Sequence, residues 1–144
     1  MSSHPVDRLH PVADFAHRLV ERLESLGSVT VWSMPAEDQR DALTTLARAE
    51  AQLQALRLRV LAEADRSGAT TETGAPSAAD WVAIETHQVR RDARADLRLA
   101  EKLETHPQLA AAMTAGAVNT AQARAIVTAL DRLPSTGQFA VSVE

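Results

Sequence analysis

The sequence predicts an all-α fold, a single helical domain of five or six helices with a long central helix. Ala and Leu are strong helix formers, and β-branched residues never run together for long. Aromatic residues make up only 3% of the chain, so Leu, Ala and Val must fill the core. Hydrophobic residues at 45% and charged residues at 24% are typical of a folded globular chain, and 144 residues can bury one core.

Three segments organise the chain. Residues 1–10 are polar and are expected to form a flexible N-terminus. The helical domain is predicted over 11–134, because Pro134 ends the last helical pattern. Residues 135–144 are expected to be a C-terminal tail or the truncated start of a further helix. The chain is therefore expected to stop partway through a longer architecture.

The first predicted helix begins at Pro11 and ends at Gly27. Its apolar residues step by three and four, as on one face of a helix, and are Val12, Phe15, Leu19, Leu23 and Leu26. Trp32, in the connector that follows, and Trp81 are both interpreted as core anchors. Each sits among apolar neighbours, which favours packing over stacking on a nucleic-acid base.

The strongest helical pattern starts near Pro35, with Ser33 as the predicted cap, and ends at Ser67-Gly68. Its apolar side, called the leucine stripe below, consists of Leu43, Leu46, Leu53, Leu56 and Val60. At 1.5 Å per residue such a helix is about 48 Å long, which is excessive for a compact domain. The stripe is therefore predicted to pair with the preceding helix or with a second copy of the chain. The residues predicted at that oligomer interface are Leu46, Leu53 and Val60.

A helix-turn-helix-like pair is predicted near residues 77–105. Ser77 and Asp80 have the spacing of a capping box, which opens a short helix. Ala83 sits where the motif packs a small residue, and His87 sits where its turn often has Gly.

Two further helices follow. Pro107 and Gly116 bound the first of them, Asn119 or Thr120 caps the second, and Pro134 ends it.

The second helix of this pair carries its cations on one arc of the helical wheel, and they are Arg90, Arg91, Arg94, Arg98 and Lys102. A helix that reads double-stranded DNA uses such side chains on phosphates and guanine edges, so these five are the candidate DNA contacts. The alternative is a solvated arginine face. A net charge of −4 argues against non-specific coating of nucleic acid. Asp96 falls on the apolar side, and we expect it near an edge or paired with an Arg of another helix.

Several blocks of the sequence resemble the actinobacterial 13E12 repeat family, whose shared N-terminal region is domain of unknown function 222. The blocks, over roughly residues 38–134 and in the same order, are "LARAEAQLQALRLRVLAEADRSGA", "GAPSAADWVAIETH", "ARADLRLAEKL" and "AAAMTAGAVNTAQARAIVTALDRLP". The resemblance implies a helical region that commonly precedes an HNH endonuclease module and often lies in mobile elements. The chain departs from the family pattern at His87, Gln88 and Val89, where Gly, Leu and Ser are common. It also departs at Asp96, where an apolar residue is common.

No catalytic machinery is expected. An HNH site needs a His base, an orienting Asn and a metal-binding His on a ββα hairpin, and the five His of this chain form no such cluster. There is no Gly-rich phosphate loop and no nucleophile elbow, and no Cys is present. We therefore expect no enzyme activity, cofactor, metal or small-molecule substrate. Four potential metal ligands at helical spacing are interpreted as scattered surface residues, and they are Asp7, His10, Asp14 and His17.

Three interpretations remain open at this point. The first is a non-catalytic DNA-binding or targeting module, normally coupled to an HNH nuclease. The second is an interaction or oligomerisation module that forms a homodimer through the long helix. The third is a remnant without independent activity. The sequence has no apolar run of about 18 residues and no signal-peptide pattern, so we expect a cytoplasmic protein without membrane contact.

Overall fold

The computed structural model describes residues 8–134, and this part of the chain is helical without a strand. The α-helices are α1 (Pro11–Leu26), α2 (Ala36–Ser67), α3 (Ala78–Thr86), α4 (Arg90–Glu104), α5 (Pro107–Thr114) and α6 (Thr120–Asp131). A 3-10 turn, Thr71–Thr73, follows α2. These elements confirm the predicted all-α class and its five or six helices. The predicted tail 135–144 and most of the predicted flexible N-terminus lie outside the described residues.

The chain divides into two compact units, Met1–Gln39 and Arg40–Glu144. The predicted domain limits at residues 11 and 134 stay a prediction. Among residues 8–134, no helix combines the length and the apolar character that crossing a membrane requires.

The first unit contains α1, which begins and ends where the sequence predicts. The His10 ring caps it, since Nδ1 accepts a hydrogen bond from the backbone N–H of Val12 at 3.2 Å. No residue of α1 is buried. The interpretation of Trp32 as a core anchor is wrong, because this side chain is 82% exposed. It lies in a tight turn, where the backbone hydrogen bond from Met34 to Val31 bends the chain and leaves side chains outside.

Helix α2 begins without the predicted Ser33 cap. The Ser33 hydroxyl instead donates to the carbonyl of Thr30 at 3.3 Å, within the preceding turn. The side-chain amide of Gln39 donates to the carbonyl of Met34 at 2.9 Å and so ties the first turn of the helix to the connector. At the other end Gly68 adopts φ 69°, a left-handed conformation that glycine tolerates without strain, and the helix stops as predicted.

The second unit has two buried clusters, and α4 contributes to both. The larger cluster joins α2, α4, α5 and α6 around Met113, whose side chain is fully buried. The smaller one packs Leu61 of α2 against the small residues of α3 and against α4. Alanines supply much of both clusters, because a short side chain lets helix backbones approach closely. The buried residues of α2 are Ala51, Ala55, Leu58, Leu61 and Ala62.

Residues at their ends determine where the last two helices begin and end. Gly116 adopts φ 77° after α5, as its predicted role in ending that helix requires. The carbonyls that α5 leaves without helical partners are satisfied from α2, where Arg48 Nε donates to Ala115 at 3.2 Å and Gln52 Nε2 donates to Thr114 at 3.2 Å. Helix α6 opens with Asn119, one of the two caps that the sequence allows, in a reciprocal capping box with Gln122.

Candidate interaction surfaces

The predicted helix-turn-helix-like pair is present as α3, a three-residue break and α4. The Ser77 hydroxyl accepts from the backbone N–H of Asp80 at 3.2 Å and so begins α3 where the capping box predicts. Ala83 is buried between the helices. His87 adopts φ 55°, the left-handed conformation for which glycine is usual, and it turns the chain into α4. The basic arc of α4 therefore stands on a defined helical scaffold.

Asp80 of α3 holds two of the five candidate arginines. Its Oδ1 lies 3.0 Å from Arg94 Nη2 and 3.3 Å from Arg90 Nε, while the Ser77 hydroxyl donates to Oδ2 at 3.0 Å. Burial alone would raise the pKa of the Asp80 carboxyl. The hydrogen bonds from Ser77 and Arg94, with the positive charges of Arg94 and Arg90, outweigh burial and lower that pKa. Arg90 and Arg94 thus clamp α3 to α4.

The other three candidate cations differ from one another. The Arg91 side chain is 88% exposed, with Nε 3.7 Å from the Asp92 carboxylate beside it. Lys102 pairs with Asp131 of α6 at 3.4 Å. Arg98 is exposed, and within residues 8–134 it has no ion pair. Arg91 and Arg98 are therefore the cations of this arc that the fold leaves most available to a ligand.

Asp96 pairs with arginines of two other helices, which confirms one of the two expectations for it. It forms an ion pair with Arg124 of α6, and Arg57 Nη2 of α2 lies 3.8 Å away. The Gln88 amide donates to Asp96 at 3.0 Å and accepts from Arg57 at 3.1 Å. Gln88, in the turn before α4, and Asp96, within that helix, are therefore in direct contact.

The predicted oligomer interface is exposed in the single chain. Leu46, Leu53 and Val60 are 58%, 41% and 48% exposed. They recur every seven residues, so they lie within about 40° of one another on the helical wheel and about 150° from the middle of the buried face. Helix α2 is thus apolar on two sides. One side packs into the core, and the other side is the leucine stripe.

The described residues hold no group of three or more His, Asp or Glu side chains close enough to bind a metal. Of the four spaced residues near the N-terminus, Asp7 lies outside the described residues and His10 caps α1. Asp14 pairs with Arg18 at 3.0 Å, a bridge between successive turns of α1.

These features define a helical protein with a helix-turn-helix-like pair and an exposed apolar helix face. Residues 40–142 match the family described as Domain of unknown function (DUF222), and the chain belongs to this family. The match begins where the second compact unit begins. No curated protein and no solved structure matches the chain.

Sequence reasoning missed the clamp at Asp80, and it expected an Arg partner for Asp96 without identifying which residues surround that carboxylate. The pattern did contain a signal, since Asp80 occupies the first turn of one helix and arginines spaced by four begin the next. Their contact depends on the angle of the turn at His87, which spacing along the chain does not determine. Arg57 and Arg124 carried no signal, because they reach Asp96 from separate helices.

Proposed function

We propose that the chain is a non-catalytic oligomerisation module that works through α2. The observation that carries this proposal is the exposed face formed by Leu46, Leu53 and Val60, opposite the buried face of the same helix. A seven-residue apolar repeat is the pattern by which helices pair in coiled coils. We also propose the cytoplasmic location that the sequence analysis expects.

Burial supplies the driving force for such an association. Fully burying a Leu or Val side chain contributes about 1.5–3 kcal/mol, and a symmetric dimer buries each interface residue twice. Arg90 and Arg94, by contrast, already bind Asp80. The contacts within the chain thus occupy part of the basic arc and leave the apolar stripe exposed, which favours oligomerisation over DNA binding.

Light scattering across a range of protein concentrations tests the proposal. We expect a dimer for the unchanged chain and a monomer for Leu53→Asp, with helicity by circular dichroism retained in both. Ile84→Asp is the matched control, because Ile84 is an exposed apolar residue of α3 away from the stripe. A chain that stays monomeric at high concentration contradicts the proposal.

A second candidate function is DNA binding, and the succession of α3, a three-residue break and α4 favours it. Arg91 and Arg98 lie on the outer side of α4 and can reach phosphates without breaking the Asp80 clamp. The resemblance to the actinobacterial 13E12 repeat family supports this candidate, because it implies a helical region that commonly lies ahead of an HNH nuclease module in a mobile element.

An anisotropy titration with duplex DNA at two salt concentrations tests this candidate. We expect salt-sensitive binding that the combined change Arg91→Glu and Arg98→Glu abolishes, since counterion release makes phosphate contacts salt-dependent. Arg18→Glu reverses a charge in α1 and serves as the control. Absence of binding at low salt would leave the basic arc as a solvated face.

A further inference from the structure

We infer that two copies of the chain pair antiparallel through α2, with Leu53 of each copy against Leu56 of the other. In this pairing Glu50 of each copy bridges to Arg57 of the other. The inference rests on the proposed self-association and adds its orientation, its register and the two residues that select them.

The repeat of the leucine stripe assigns heptad positions along α2. Leu46, Leu53 and Val60 occupy the a positions, and Ala49 and Leu56 occupy d positions between them. In an antiparallel pair each a residue packs against a d residue of the other helix. Setting Leu53 against Leu56 then sets Val60 against Ala49 and, nearer the ends of the overlap, Leu46 against Glu63. The two-fold axis passes between residues 54 and 55.

The flanking charges select the antiparallel orientation. Glu50 and Arg57 both occupy e positions, which face each other across an antiparallel pair, so this register forms two Glu50–Arg57 bridges related by the two-fold axis. A parallel pair brings g positions against e positions instead. The g residues are Thr45, Gln52 and Arg59, whose e partners would be Glu50, Arg57 and Ala64. None of these three parallel pairs joins opposite charges.

The same charges select the register. Sliding one helix by a heptad places Leu46 against Leu56, which also buries apolar side chains. That register brings Glu50 against its own copy at the two-fold axis, however, and like charges in contact are destabilising. The register with Leu53 against Leu56 replaces this repulsion with two attractive pairs.

The exposed surface of α2 can accommodate this arrangement. Residues 42–67 of the two helices overlap, a length of about 39 Å at 1.5 Å per residue. The core residues of α2 face the opposite side and stay covered by the second unit. The Arg57 side chain is 58% exposed although its Nη2 donates to Gln88 and lies 3.8 Å from Asp96, so this side chain can still meet a second copy.

Disulfide cross-linking tests the orientation, and the natural absence of Cys makes each introduced pair unambiguous. A mixture of Ala49→Cys and Val60→Cys chains should cross-link under mild oxidation. Leu46→Cys alone should not, because its two copies would lie about 25 Å apart along the axis. Efficient cross-linking of Leu46→Cys to itself indicates a parallel pair. That outcome overturns this inference and leaves self-association intact, whereas a monomeric unchanged chain overturns both.

Charge reversal tests the register independently. Glu50→Arg alone and Arg57→Glu alone should each weaken dimerisation by about tenfold, since each change replaces two attractive pairs with two repulsive ones. Mixing the two variants should restore association, because the mixed pair regains opposite charges at both bridges. Glu37→Arg lies outside the overlapping segment and serves as the control, and circular dichroism checks that each variant folds. A mixture no tighter than its separate components overturns the assigned register.

Discussion

Arg94 of α4 donates to Asp80 of α3 through two nitrogens, with Nε at 3.2 Å and Nη2 at 3.0 Å from the same Oδ1. Asp80 is 4% exposed, and its other carboxylate oxygen accepts from Ser77, the residue that caps α3. One carboxylate therefore takes part in the start of the first helix and in its attachment to the second. The arginine spacing that suggests a DNA-reading helix also serves, at two of its positions, to hold the helix pair together.

Replacing Asp80 with Asn should lower the melting temperature at pH 7, because Arg90 and Arg94 lose their shared counter-charge. The pKa of Asp80 is lower in the folded chain than the ordinary value of 3.8 for this carboxyl, so the ionised form stabilises the fold. That contribution is fully present above pH 3.8 and is lost as the pH falls through the lowered folded pKa. The stability difference between the two proteins should therefore shrink in strong acid.

Thermal melts followed by circular dichroism between pH 2 and pH 7 measure this effect. Asp92→Asn is the matched control, since the Asp92 side chain is half-exposed and its one ion pair among residues 8–134 is with the exposed Arg91, at 3.7 Å. We expect little change for that variant at any pH. Equal losses for the two variants, or a constant difference across the acid range, would contradict the clamp.

Gly116 should tolerate no side chain. Its φ of 77° is left-handed, and an added Cβ would lie 2.5 Å from Arg48 Cγ and 2.9 Å from the Arg48 carbonyl oxygen. Gly116→Ala should cost more than the roughly 1–2 kcal/mol of a left-handed backbone alone, because the carbonyl belongs to the rigid helix α2. Gly74→Ala isolates the backbone cost, since Gly74 has φ 81° and open space around it. Urea denaturation measures both, and a similar loss for the two would show that the contact with α2 is unimportant.

The elements that the sequence predicts correctly depend on neighbours in the chain. Ser77 with Asp80 and Asn119 with Gln122 are caps that form within four residues. Their hydrogen bonds therefore arise from local backbone geometry, and the spacing of the two residues in the sequence predicts each cap. The left-handed residue at His87 is similarly local, because the turn between α3 and α4 requires it.

The buried face of α2 could not be predicted in the same way. Its larger apolar residues Leu46 and Leu53 suggest one face, whereas the core takes the face with Ala51 and Ala55. Small side chains lie on this face because other helices approach α2 closely there, and those helices are far away in the sequence. The exposure of Trp32 could not be predicted for a related reason. A turn residue is buried only where another part of the chain packs over it, and the local sequence does not determine this.

His87→Gly should stabilise the chain. A non-glycine residue at φ 55° carries about 1–2 kcal/mol of steric cost, whereas glycine adds only about 0.5–1 kcal/mol of entropic cost. The net change should be a small gain in the free energy of unfolding, read from urea denaturation. Thr86→Gly, one residue earlier in α3, provides the control and should destabilise, because its backbone is helical. A loss for His87→Gly as large as that control would mean that the imidazole makes a stabilising contact.

Gln88 and Asp96 should be energetically coupled. Asp96→Leu alone leaves Arg57, Arg124 and the Gln88 amide without their shared acceptor, and we expect a loss of about 1–3 kcal/mol. The arginines are about half exposed and can turn to solvent, which keeps the loss below that of a fully buried pair.

Adding Gln88→Leu to Asp96→Leu should recover part of that loss, because the two new side chains can pack against each other where the amide met the carboxylate. A double-mutant cycle by urea denaturation should then give a coupling of about 1 kcal/mol or more between the two positions. The Gln54→Leu change in α2 supplies an uncoupled comparison, since Gln54 binds Thr120 instead. Strictly additive losses for Gln88 and Asp96 would mean that their contact does not stabilise the fold. Coupling would show that the polar contact between Gln88 and Asp96 stabilises the turn before α4.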